Sequence, residues 1–114
     1  MGEIGLVHFL IVSSLVFGLG AAIVMVRRNA VAVLMGVEMI LNAAALNFVA
    51  FGRYLDVANN PASPGYGSAI SGQAVALFIV VAAAAEAAVA LAIVLNFFNR
   101  YQTINLDEAS ELKQ

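Results

Sequence analysis

Three long apolar runs, Ile4–Val26, Ala30–Phe51 and Ala74–Phe98, decide what this chain can fold into. Each exceeds the roughly 20 residues that an α-helix needs to cross about 30 Å of hydrocarbon at 1.5 Å per residue. The chain has 114 residues, 63% hydrophobic and 11% charged, with a mean hydropathy of +0.97. A soluble domain of that size needs more polar surface than this. The runs therefore predict an all-α membrane protein with three transmembrane helices in a single membrane domain, residues 1–114. Helices are expected at about 4–26, 30–51 and 74–98, with a loop over 52–72 and a tail over 99–114. The first run opens with Glu3, where a secretory signal would carry Lys or Arg, so it reads as a retained helix.

Charge is nearly absent from these runs, which makes Glu38 and Glu86 conspicuous. Near the centre of a spanning helix an acidic residue costs about 2.5–3.5 kcal/mol on insertion scales, so such residues face a protein interior or a wet cavity and mark ion or proton paths. The bland alternative is a glutamate that only hydrogen-bonds a neighbouring helix. Two of them at similar depth favour proton handling: roughly 13 Å for Glu38 and 18 Å for Glu86, counted from the helix ends that share one side. If the second and third helices are antiparallel neighbours and both side chains face inward, the carboxyls come within reach directly or through one or two waters. Asn42, one turn after Glu38, is placed either to support it with a hydrogen bond or to join helices.

The chain has no Cys and one His, His8. Iron–sulfur ligation, disulfides and thiolate metal sites are therefore excluded within this chain, and no metal or cofactor ligand set is expected. His8 lies near a run end and reads as a solvated interfacial residue.

Basic residues set the expected orientation. Arg27 and Arg28 lie in the first connection, Arg100 after the third run and Lys113 in the tail, whereas the other side has Arg53 alone. By the positive-inside rule the N-terminus is outside and the C-terminus cytoplasmic. The same rule accounts for Arg27 and Arg28 without any chemistry. Residues 52–72 are rich in Gly, Pro, Ser and Asn and lack helical periodicity. Ser14, Gly18 and Ala22 form a small-residue stripe suited to close helix packing. Tyr54, Tyr101 and Phe97–Phe98 sit where aromatic interfacial anchors are common. Asp107 and Glu108 suit the first turn of a short helix. Three helices cannot shield two carboxyls from lipid, which predicts a small component of a larger membrane assembly.

The stretches RRNAVAVLMGVEMILNAAALNF (27–48), GQAVALFIVVAAAAEAAVALAIVL (72–95) and INLDEASELK (104–113) resemble subunit K of the proton-pumping NADH:quinone oxidoreductase, respiratory complex I. The mitochondrial counterpart is the ND4L subunit. The resemblance rests on a basic pair followed by Asn, a Gly-x-Glu with Asn four residues later, and an Ala-Ala-Ala-Glu-Ala in the third helix. It implies that Glu38 and Glu86 transfer protons along the hydrophilic axis of the membrane arm, with Arg27 and Arg28 in the basic first cytoplasmic loop. It further implies small hydrophobic and antiporter-like subunits as neighbours, and quinone, flavin and iron–sulfur clusters held by other subunits. This chain would then be a non-redox subunit of an enzyme in the bacterial plasma membrane. Relatives in cyanobacterial and chloroplast complexes take electrons from ferredoxin, so the donor stays open, and a thylakoid or organellar membrane is the alternative location. Two rivals remain: the related three-helix component of a multisubunit sodium/proton antiporter, and a purely structural membrane scaffold.

Overall fold

A computed structural model describes residues 2–59, 62 and 68–111. They form four helices: α1 (Leu6–Val26), α2 (Ala30–Asn59), α3 (Ser68–Tyr101) and α4 (Leu106–Glu111). Three stretches, Leu6–Val26, Ala30–Leu55 and Ile70–Tyr101, are long and apolar enough to cross a membrane. The middle helix organises the rest, with α1 packed along one side of α2 and α3 along the other.

Small residues make both contacts. A Cβ built on Gly20 would stand 2.7 Å from the Gly36 carbonyl oxygen, and one on Gly36 would stand 2.9 Å from that of Gly20, so α1 and α2 touch backbone to backbone there. On the other side of α2, a Cβ on Gly72 would run into the Phe48 carbonyl oxygen and lie 3.0 Å from Gly52 Cα. The buried apolar side chains are alanines: Ala43, Ala45, Ala50, Ala76 and Ala83. Large ones such as Leu77, Phe78 and Ile93 point outward. With lipid as solvent, helix association gains nothing from hiding Leu or Phe, and close backbone approach through Gly and Ala takes over.

The expected loop over 52–72 is corrected by the structure. The helices do not stop at 51 and resume at 74: α2 continues to Asn59 and α3 begins at Ser68. Gly52 and Gly72 read as helix breakers in the sequence, yet they lie in close backbone contact within two continuous helices. Residues 60–61 and 63–67 of the expected loop lie outside the described residues. The stripe of Ser14, Gly18 and Ala22 faces away from α2, so the helix it would pack against is not one of this chain's described helices. Ser14 is exposed and a Cβ on Gly18 would meet nothing, whereas α1 buries Ser13 and Gly20. Ser13 Oγ donates to the Ala43 carbonyl oxygen at 2.9 Å, adding a polar tie to that contact.

Capping explains the remaining ends. Asn29 Oδ1 accepts from the backbone N–H groups of Val31 at 2.9 Å and Ala32 at 3.4 Å, satisfying donors that the first turn of α2 leaves free. His8 Nδ1 accepts from the Gly5 N–H at 3.1 Å at the start of α1, so this histidine serves as a cap. Past α3, Gln102 adopts a left-handed conformation with φ 57° and donates its N–H to the Phe98 carbonyl at 2.7 Å, which turns the chain back.

The tail then docks on the α1–α2 connection. Ala30 N–H donates to Ile104 O and Leu106 N–H to Arg28 O, both at 3.0 Å, forming an antiparallel bridge between Asn29 and Asn105. Arg28 Nε lies 3.1 Å from Asp107 Oδ2. A six-residue helix is marginal alone, and this docking is what holds α4, whose first turn carries Asp107 and Glu108 as its dipole favours. Tyr54 ties the opposite end, donating its hydroxyl to Ile4 O at 3.1 Å with its ring 5.9 Å from that of Phe9. It is a structural strap as well as a run-end aromatic.

Candidate membrane carboxylate site

The α2 stripe that meets α3 contains Gly52, Ala45 and Glu38 at successive seven-residue intervals. Seven residues are close to two helical turns, so all three lie on nearly the same face. Glu38 is half-buried, and its Oε1 is shielded and has no hydrogen-bond partner. A shielded carboxyl oxygen without a partner is uncommon enough to require explanation by an ion, a water or a proton-bearing group supplied at that point.

The packing fixes the level of Glu86 relative to it. Gly52 and Gly72 touch, Glu38 lies fourteen residues before Gly52, and Glu86 lies fourteen after Gly72. On antiparallel helices those equal intervals, about four turns each, bring the two glutamates to the same height. The other end agrees, because Ala30 shares one apolar cavity of about 180 Å³ with Ile93, Val94 and Phe97. Glu86 is exposed, whereas Ala83, one turn before it, is buried. The α3 face against α2 is thus an alanine surface, with Glu86 on its flank. Among the described residues no hydrogen bond joins the Glu38 Oε1 to Glu86, and no group of three or more potential metal ligands occurs.

Asn42 is exposed and makes no hydrogen bond to the Glu38 Oε1. Arg27 caps the end of α1, its N–H donating to Ile23 O at 2.9 Å, while Arg28 pairs with Asp107. Neither arginine belongs to the carboxylate seam; both lie at the end of the bundle where the tail docks.

Residues 8–114 match the family model of NADH-ubiquinone/plastoquinone oxidoreductase chain 4L. This chain belongs to the subunit K family of NADH-quinone oxidoreductase. It is 43% identical to subunit K of Chlorobaculum tepidum over 112 residues, covering 98% of this chain and 94% of that one. Subunit K 1 of Koribacter versatilis is 45% identical over 113 residues, 99% of each chain. Subunit K of Desulfitobacterium hafniense is 42% identical over 111 residues, 97% of this chain and 96% of the relative.

The subunit K match spans Glu38, Asn42, Glu86 and the Arg27–Arg28 pair. It also spans two polar residues that sequence reasoning passed over. Ser13 is buried at 2% exposure within α1, and the Asn47 Oδ1 is shielded without a partner in α2. A signal for Asn47 existed, since it is uncharged but polar within an apolar run. Its spacing of nine residues from Glu38 draws attention instead to Asn42, five residues earlier, one turn after Glu38 and exposed.

Proposed function

We propose that this chain is a non-redox membrane-arm subunit of NADH-quinone oxidoreductase, in which Glu38 and Glu86 pass protons during quinone reduction. The observation carrying this reading is the unpartnered, shielded Glu38 oxygen on the α3-facing side of α2, level with Glu86. A carboxyl accepts a proton on one oxygen and releases one from the other, and a water is the carrier that passes it onward. Asn42, exposed on the same half of α2, is positioned to orient such a water once neighbouring protein covers it.

Glu86 on an exposed flank requires cover. A carboxylate facing lipid costs about 2.5–3.5 kcal/mol, so that flank faces another subunit or a wet cavity between subunits. The partners are other subunits of the complex, small hydrophobic and antiporter-like ones of the membrane arm among them, and the membrane is the bacterial plasma membrane. Arg27, Arg28 and Arg100 orient the chain with its N-terminus outside and its C-terminus in the cytoplasm. Flavin, iron–sulfur clusters and quinone belong to other subunits. The relatives' name, NADH-quinone oxidoreductase, supports NADH as the electron donor of the complex.

Glu38→Gln tests the role. It preserves size and hydrogen-bonding capacity but cannot titrate, so the assembled complex is expected to lose most of its proton pumping and coupled quinone reduction. Glu38→Asp, which keeps the acid on a shorter arm, is expected to lose less. Normal pumping by an assembled Glu38→Gln complex would remove the proton-transfer role and leave a scaffold.

A further inference from the structure

From Glu38 to the end of the bundle where the tail docks, the α2–α3 seam is apolar. Leu34 and Ala30, four and eight residues before Glu38, continue its side of α2, and the half-buried α3 residues at those heights are Ala87, Ala90, Val94 and Phe97. Eight residues are about 12 Å of helix. At the far end Ala30, Val94 and Phe97 enclose, with Ile93, Ile104 and Leu106, a cavity of about 180 Å³. All six are apolar. Asn96, the polar residue in this part of α3, is exposed and does not line the cavity.

Ile104 and Leu106 come from the tail, and main-chain bonds hold them there. Ile104 O accepts from Ala30 N–H and Leu106 N–H donates to Arg28 O, while left-handed Gln102 brings the chain round from α3. Residues two apart in extended chain point the same way, which sends both side chains to the cavity. Asn105 between them caps α4 instead, its Oδ1 accepting from Asp107 N–H at 3.0 Å. The cavity could admit water by size, yet an apolar cavity of about 150 Å³ stays dry because water finds no polar partner in it. Hydrophobic constrictions in channels block ions by the same dewetting.

We propose that Ile104 and Leu106 seal the tail end of the carboxylate seam, so that water and protons do not reach Glu38 along α2 and α3 from that side. The exposed flank of Glu86 is then the open approach to the two carboxyls. The seal takes its purpose from the proton-transfer reading of Glu38, but its geometry stands without it.

The test uses the assembled complex and reads water access first. Because the chain has no Cys, Ala90→Cys places its single thiol on the seam, one turn from Val94. A small cationic thiol reagent, its adduct read by the mass of this subunit, is expected to react slowly, and at least about tenfold faster once Ile104→Ser and Leu106→Ser wet the cavity. Ile104→Val with Leu106→Ile stays apolar and should keep the slow rate. Leu106 is 47% exposed, so Leu106→Ser alone carries the comparison if the double variant does not assemble. Equal rates with and without the serines would overturn the seal. In proteoliposomes without an electron donor, the serine variant, with position 90 unchanged, is also expected to leak protons, and Glu38→Gln to stop that leak. A leak that survives Glu38→Gln would uphold the seal and contradict only the role of Glu38.

Discussion

At Gly72 one added methyl group collides with the backbone of α2, whereas at Gly18 it meets nothing within 4 Å, although both glycines sit inside apolar helices. Gly72→Ala is therefore expected to destabilise the detergent-solubilised chain by about 1–3 kcal/mol, the range for overpacking where the neighbour is main chain. Gly18→Ala should stay within about 0.5 kcal/mol of the original. Equal thermal unfolding of the two variants would remove the Gly52–Gly72 contact from the account. Sequence reading assigns them the other way round, Gly18 to a packing stripe and Gly72 to a loop end, because a glycine in a membrane helix signals a breaker, a close contact or nothing at all. The glutamates stand out in the sequence for the opposite reason: a charge in hydrocarbon has few innocent explanations. Asn42 and Asn47 mark the limit, sharing residue type and helix while differing in burial.

At the scale of elements, the existence of all three spans was legible because length and hydropathy suffice for it. Which faces meet was not. An apolar α1 shows no stripe, so Ser14, Gly18 and Ala22 were as plausible a packing surface as Ser13 and Gly20. The short tail helix was legible through Asp107 and Glu108, but its docking partner was not, since backbone hydrogen bonds to Arg28 and Ala30 leave no trace in side-chain types. The docking has a quantitative consequence. The side chains of Arg28 and Asp107 are 74% and 64% exposed, so Asp107→Ala should cost under about 1 kcal/mol. Asn29→Ala, which strips the cap from α2, should cost about 0.5–2 kcal/mol, typically more than the ion pair. Thermal melts of both variants check the order; a larger loss from Asp107→Ala would mean that the ion pair, not the cap and the backbone bridge, holds this end.

For the whole molecule, three helices with alanine and glycine inside and leucine and phenylalanine outside form a part built to be surrounded. The tail and the first connection share one end of the bundle, which groups Arg27, Arg28 and Arg100 as the positive-inside rule requires of a cytoplasmic face. A Cys introduced at Ser63 should then react with an impermeant maleimide in intact cells; labelling only after permeabilisation would reverse the orientation. The seam between α2 and α3 bears the functional claim, because it sets Glu38 and Glu86 at one height fourteen residues from a shared contact. If they serve one path, interrupting it once already stops transfer, and a second interruption adds little. Proton pumping is therefore to be measured in Glu38→Gln, Glu86→Gln and the double variant, at matched levels of assembled complex. The double variant should pump about as well as the worse single one, with Glu38→Gln the more damaging; defects that multiply would contradict a common path and separate the two carboxylates.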